Sequence, residues 1–500
     1  MPSYNAPTVS DALPRIMSDL LKSGSQVDSR NGAVREFLNV QITIREPSRR
    51  EVLCAGRKAN VFAQIAETCW VLSGRSDIEW LSAYLPRAVD YSDDGKVWRS
   101  GYGPRIRNWG GLDQVQYVID TLRKDPMSRQ AVIAIWDPPV DMTDGKDRAC
   151  NTQLQFQCRD GRLYLTVTVR SNDVMWGWSG INAFEWSTLL EIVASLLEYD
   201  VGHITFNIGS LHLYEPHWGR AANISYDPPL VDPSIIPFNP DGILLDLAEV
   251  DMLLDRWFIW EQICRHGEAT LDLLEDWEDP LFKAWAAAIA YYWQRDPHWL
   301  DIPEMQGTGL AAAIAQTPPS VLPVPVQRSR GAAGVPSATH TLNEPVRAFY
   351  RFTSKLHAEK HASYGDSWKK RGEKLSILAN IARKVDRLGV GDSFDTAADT
   401  VIDLWVYLAK YLCWLNSQPS DPEHVDKVLR QSLAGTQGRD PEENWENGIP
   451  ISFDFYANNR GEFSNERKRE FVRHMLWRTA PVARDLWLEE QGTYRGADVD

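Results

Sequence analysis

The chain has 500 residues, 43% of them hydrophobic, and a formal net charge of −15. At roughly 150 residues per domain, that length and apolar content suffice for two or more separate cores. The negative balance argues against a sequence-independent grip on long nucleic acid, which needs a basic face, but permits a small phosphorylated ligand held by a few arginines.

Taken in chain order, the N-terminal segment (residues 1–21) lacks the basic start and apolar run of a signal peptide. No run approaches the roughly 20 apolar residues of a membrane span, so a cytoplasmic location without membrane partners is expected. Phe62 to Leu72 has apolar residues at helical spacing. Gln130 to Trp136 and Leu163 to Val169 are short and β-branched, as strands are. Ala183 to Leu197 reads as a long buried helix with Glu191 its main interior charge. These elements predict a mixed α and β domain over residues 1–303, built on a twisted mixed sheet. Residues 304–340, rich in Pro, Ala and Ser, read as a tether. Residues 341–500 read as an all-helical domain, with Val401 to Leu415 as a core helix.

The residues that carry chemistry cluster in three segments. Cys150 follows Arg148, and a neighbouring cation raises the thiolate fraction of a thiol. The other five cysteines (Cys54, Cys69, Cys158, Cys264, Cys413) are scattered without a C-x-x-C pair, as buried thiols are. Arg170 and Ser171 end a strand next to Asn172 and Asp173, and the cluster offers phosphate donors and a carboxylate in what reads as one loop. Asn182 can both donate and accept, although an Asn at a helix start also serves as a cap. His212 and Tyr214 are two apart, so on a strand both face one side. Each residue alone has an ordinary structural explanation, and only their joint order points to a site.

That order resembles the thymidylate synthase family. The match extends to Ser29-Arg30-Asn31-Gly32, to Ile65-Ala66-Glu67 with Trp70, to the Trp98–Trp109 segment with Tyr102, and to Asp125-Pro126-Met127-Ser128-Arg129. The resemblance implies a thymidylate synthase-like α/β (α+β) fold and one-carbon transfer from 5,10-methylenetetrahydrofolate to C5 of a pyrimidine nucleoside monophosphate. Cys150 would add to C6, and Asn182 would read the N3–O4 edge of uracil. Arg30, Arg170 and Ser171 would hold the phosphate, with Arg129 reaching in from the second copy of a homodimer. His212 and Tyr214 would contact the sugar, Asp173 the folate ring, Glu67 a proton-transfer network, and Tyr102 the C5 proton.

The chain departs from the family pattern in places. Asn151 follows the nucleophile where His is usual, and Gln130 replaces a second Arg. The segment before Asn182 is one residue longer. Ala88 stands where a Trp precedes the acidic turn Asp93-Asp94, and no short apolar tail closes the domain. Relatives lacking such features release a hydroxymethyl product, so methylation and hydroxymethylation of a uridylate, dUMP first, both stand as expectations. A dCMP or CMP hydroxymethylase and a catalytically inactive nucleotide-binding regulator are the alternatives.

In the second domain, Tyr364-Gly365-Asp366-Ser367-Trp368, followed by Asp399 to Leu404, resembles a helical domain of nucleotide-modification systems. Asp399 and Asp403 are i,i+4, a spacing that serves either a Mg²⁺ site or an ordinary helix face.

Overall fold

Strict alternation along the strands decides which sheet face is covered. Leu163, Leu165, Val167 and Val169 are fully buried, while Tyr164 and Thr166 between them are half-exposed. The computed structural model describes residues 2–224, 233–240, 246–275, 277 and 279–323, then 349–358, 369, 377–385, 388, 397–419, 421–434, 449, 453 and 465–490. The chain divides into two units, Met1–Arg328 and Ser329–Asp500.

The first unit holds a mixed sheet of seven strands: β1 (Ser3–Ala6), β2 (Ser25–Ser29), β3 (Gly32–Ile44), β4 (Val132–Ala134), β5 (Asn151–Arg159), β6 (Arg162–Asp173) and β7 (Asp200–Tyr214). The order is β1-β3-β7-β6-β5-β4, with β2 also paired to β3. β6 and β7 run parallel, and β5, β3 and β4 are added antiparallel. The expected mixed sheet is therefore present, and the helices expected at 62–72 and 183–197 form at Val61–Leu72 and Ala183–Leu196. All twelve residues of the first and nearly all of the second are buried, so these two helices form the centre of the core.

Two expectations are corrected. Arg170 and Ser171 belong to a strand as expected, but Asn172 and Asp173 continue β6, paired with β7, where a loop was expected. The chain then enters a nine-residue π-helix, Val174–Asn182. A π-turn holds one residue more than an α-turn, which accommodates the extra residue before Asn182. The second correction concerns the tether. Residues 304–323 fold with the first unit: the Glu304 carboxylate pairs with Lys283 at 2.7 Å, Gly309–Gln316 is helical, and Thr317 Oγ1 donates to Ala59 O at 3.1 Å. Small apolar residues there pack as a short helix instead of staying extended. The rest of the expected tether, from residue 324, lies outside the described residues.

In the second unit every described element is helical: Leu378–Val385, Ala397–Leu415, Pro422–Ala434 and Asn465–Glu490. Trp405 centres its core, stacked on Phe349 at 5.5 Å and donating to Ser432 Oγ at 3.0 Å. Residues 364–368 lie outside the described residues. Among the described residues, no helix is long and apolar enough to cross a membrane.

Candidate active site

Sheet register gathers the functional side chains at one end of β6 and β7. Ser171 pairs with Ser210 and Asp173 with His212. On the other side of β7, Tyr214 pairs with Val34, which places the β2–β3 turn beside it. That turn carries Arg30 and Asn31 and closes through Gly32 at φ 112, a conformation open to glycine but costly for other residues. Cys150 immediately precedes β5, where its carbonyl accepts from Arg170 N at 2.9 Å. These ends enclose a cleft of about 1000 Å³.

Ten of the residues singled out in the sequence line this cleft: Cys150, Glu67, Tyr102, Asn182 and Asp173, together with Arg30, Arg170, Ser171, His212 and Tyr214. Arg129 does not. It is exposed after the helix Gln114–Lys124, and only its carbonyl is engaged, accepting from Gln155 Nε2 at 3.4 Å. Asp403 is paired with Lys384 at 2.7 Å, and the described residues contain no cluster of three metal-ligating side chains.

Of the six free cysteines, five are buried and Cys150 alone is partly exposed. Arg170 Nη2 lies 3.5 Å from its sulfur, and the same guanidinium donates to Ala149 O at 2.8 Å and Arg148 O at 3.1 Å. These carbonyls fix the cation against the thiol. Burial pushes the Cys150 thiol up, while the charges of Arg170 and Arg30 pull it back down. Asp147 opposes them.

Tyr102 is half-buried, and its hydroxyl accepts from Asn151 Nδ2 at 2.7 Å and from Asn151 N at 3.3 Å. Asn151 Oδ1 in turn accepts from Trp186 Nε1 at 3.4 Å. Asn151 thus aims the Tyr102 hydroxyl beside Cys150. With both lone pairs of the hydroxyl taken by donors, its own proton is directed elsewhere. Burial, and next the charge of Cys150, raise the Tyr102 pKa.

Glu67 is the acid of the buried helix Val61–Leu72. Its Oε2 has no hydrogen-bond partner, and burial raises its pKa from 4.5 to about 8. Asp173 starts the π-helix, accepting from Met175 N at 2.9 Å. Burial raises its pKa, opposed by that N–H and by His212 and His217. His212 and Tyr214 meet edge to face at 5.2 Å, as side chains on one strand face do. Asn182 makes no capping hydrogen bond and leaves its amide beside the cleft.

Several contributors were not read from the sequence. Glu185 is fully buried and accepts from Asn182 Nδ2 at 3.5 Å. The i,i+3 spacing from Asn182 was the available signal. Gly177 is another contributor: a Cβ there would stand 1.9 Å from Oδ1 of Asn172, whose Nδ2 is buried without a partner, so only glycine fits. Trp176 is 45% exposed at the cleft mouth. Asp147 accepts from the Arg99 amide at 2.6 Å and so anchors a cleft wall. No local pattern marked Gly177, Trp176 or Asp147.

The thymidylate synthase family model matches residues 13–234. A deoxyuridylate hydroxymethyltransferase of Bacillus phage SP01 is 38% identical, over 41% of this chain and 56% of its own length. The chain thus spans little more than half the length of that relative. The deoxyuridylate hydroxymethyltransferase of Pseudomonas phage M6 is 36% identical, over 48% of this chain and 69% of its own length. The thymidylate synthase of T4 phage is similar at 25% identity over 44% of this chain and 81% of its own, with a TM-score of 0.37.

Proposed function

Because the chain belongs to the thymidylate synthase family, we propose that it is a deoxyuridylate hydroxymethylase acting through a Cys150 thiolate adduct. The observation that carries this reading is the pairing of the one partly exposed thiol with a guanidinium 3.5 Å away, inside a cleft that also holds Glu67, Tyr102 and Asn182.

Each step falls to a residue of this chain. Arg30, Arg170 and Ser171 line one wall of the cleft and take the 5′-phosphate as charge-assisted donors. Arg129, exposed and outside the cleft, completes that set from a second copy across a two-fold axis. His212 and Tyr214 hold the sugar, and Asn182 pairs with the base edge. The Cys150 thiolate forms a bond to C6, and the C5–C6 π electrons move to C5 and O4. C5 becomes a carbon nucleophile, which the free base is not. Methylenetetrahydrofolate, when bound, supplies the one-carbon unit that C5 accepts. The cleft fits it: about 1000 Å³ lies at the upper end of ligand pockets, Asp173 presents a carboxylate aimed by Met175 N–H, and Trp176 exposes an aromatic face at the mouth. The C5 proton would then pass to Tyr102 and Glu67 as the bond between the one-carbon unit and the folate nitrogen breaks, water would add to the exocyclic carbon to give the hydroxymethyl group, and Cys150 would depart as the C5–C6 double bond is restored.

Hydroxymethylation is preferred over methylation on two grounds. The phage relatives carry that activity in their names. Position 88 is a buried Ala where the methylating pattern has a Trp, and the aromatic side chain that its turn brings to the cleft is Tyr91 instead. The helical second unit is read as an accessory of nucleotide modification.

Mass spectrometry of dUMP incubated with the protein and methylenetetrahydrofolate tests the reading, with Cys150→Ala as control. A hydroxymethyl product that disappears in the variant is expected. A methyl product would replace hydroxymethylation by synthesis of thymidylate. Failure with dUMP, dCMP, UMP and CMP alike would leave only a nucleotide-binding regulator.

A further inference from the structure

Beneath Asn182 the cleft rests on a second acid. Glu185 is fully buried, one turn along the helix, and its Oε2 accepts from Asn182 Nδ2 at 3.5 Å. Its Oε1 has no partner, and neither has Glu67 Oε2 on the packed helix Val61–Leu72. A buried carboxyl with unmet hydrogen-bonding capacity weakens a fold relative to an apolar side chain. Packing therefore gives no reason for an acid at this position.

The orientation of an amide determines what it reads. Asn carries a donor and an acceptor that exchange places on a half-turn of the side chain. Uracil presents the N3–H donor beside the O4 acceptor, and cytosine presents the reverse. With Nδ2 turned to Glu185, Asn182 Oδ1 lies on the side of Gly177, at 3.6 Å from where a Cβ there would stand, and Gly177 lines the cleft.

We propose that Glu185 is a positioning residue for base selection: it holds Asn182 Nδ2, so that Oδ1 and the remaining Nδ2 hydrogen face the cleft in the pattern that pairs with uracil. This rests on the reading of Asn182 as the base-edge residue. In the reversed orientation Oδ1 would abut Glu185 Oε2. That places two acceptors together when the acid is ionised and is tolerated only when it is protonated. The titratable groups facing Glu185 are Glu67, from the helix Val61–Leu72, and Tyr102, from the helix Tyr102–Arg107. Among the described residues, β6, β7 and the π-helix bring Asn182 to it and no charged group. Burial first, and Glu67 second, hold Glu185 well above the usual carboxylate range. Discrimination for uracil accordingly strengthens as pH rises and Glu185 ionises.

The test compares kcat/KM for dUMP and dCMP in the unaltered protein, Glu185→Gln, Asn182→Ala and the double variant, across pH. Dissociation constants of both nucleotides are read where turnover is lost, and circular dichroism checks folding. A Gln amide accepts from or donates to Asn182 equally well. Glu185→Gln is therefore expected to lower the dUMP:dCMP ratio by about tenfold, the scale of one hydrogen bond, and to flatten its pH dependence. In the Asn182→Ala background the same change leaves the ratio unmoved. A ratio unaffected by Glu185→Gln, or shifted equally without Asn182, overturns the proposal. If Glu185→Gln does not fold, Glu185→Asp withdraws the carboxylate by one methylene, and an unchanged ratio there overturns it. If the unaltered protein turns over neither nucleotide, the proposed function fails. The proposal then stands or falls separately on whether binding prefers dUMP and loses that preference in the variant.

Discussion

Glu185 and Glu191 lie on one helix and are both buried, yet their surroundings differ in kind. Glu191 is saturated: its Oε2 takes the buried Arg50 guanidinium, and its Oε1 accepts from Phe238 N at 3.1 Å. Glu185 has an unpartnered oxygen and faces a second acid, Glu67, that also lacks a partner. A buried charge that is fully paired belongs to the fold. Breaking such a pair is costly because the survivor is left uncompensated. Buried acids left partly unpaired cluster where chemistry needs a shifted proton affinity. Within this single helix, the Glu191 end stabilises and the Glu185 end serves the cleft.

The largest expected effect lies on the functional side of this contrast. Cys150→Ala should reduce product formation by at least about a thousandfold, measured by single-turnover mass spectrometry, while thermal unfolding stays unchanged. Glu67→Gln should lower turnover by about 10²–10⁴, the range of a general acid–base group. It should also alter the pH dependence of stability. The Glu67 carboxyl rises from 4.5 to about 8 on folding, so the native state holds a proton the unfolded state releases. That contribution is fully present below pH 4.5 and is lost as pH rises towards 8. Melting temperature should therefore fall over this window in the unaltered protein and fall less in Glu67→Gln.

Glu191→Ala should destabilise the first unit by about 3–5 kcal/mol in urea unfolding. An equal cost for Glu185→Gln, or no cost for Glu191→Ala, would break the comparison. The smallest effect concerns the thiol. Arg170→Leu removes the cation beside Cys150, and alkylation by iodoacetamide at neutral pH should slow by about tenfold.

Much of this was legible from local pattern. The helices at 61–72 and 183–196 follow from apolar spacing, and β4 and β6 from short β-branched runs. Ten of the singled-out residues share one cleft, although the sheet order β1-β3-β7-β6-β5-β4 departs from chain order, so strand pairing and not sequence proximity brings their segments together. Glu191 was read as the main interior charge of its helix, and the structure gives it a buried partner in Arg50. The equal burial of Glu185 went unread, because burial of one acid depends on which neighbours cover it and not on its own segment.

The sequence by itself determined most elements, the candidate thiol and the family, since apolar periodicity and ordered motifs are properties of the chain alone. Only the tertiary structure decided that Asn151 aims the Tyr102 hydroxyl, that residues 304–323 fold back instead of forming a tether, and that Glu67 and Glu185 face one another. Those facts depend on sheet register and helix packing between residues far apart in the chain. No local spacing encodes which buried groups are left to meet, or which are left without a partner.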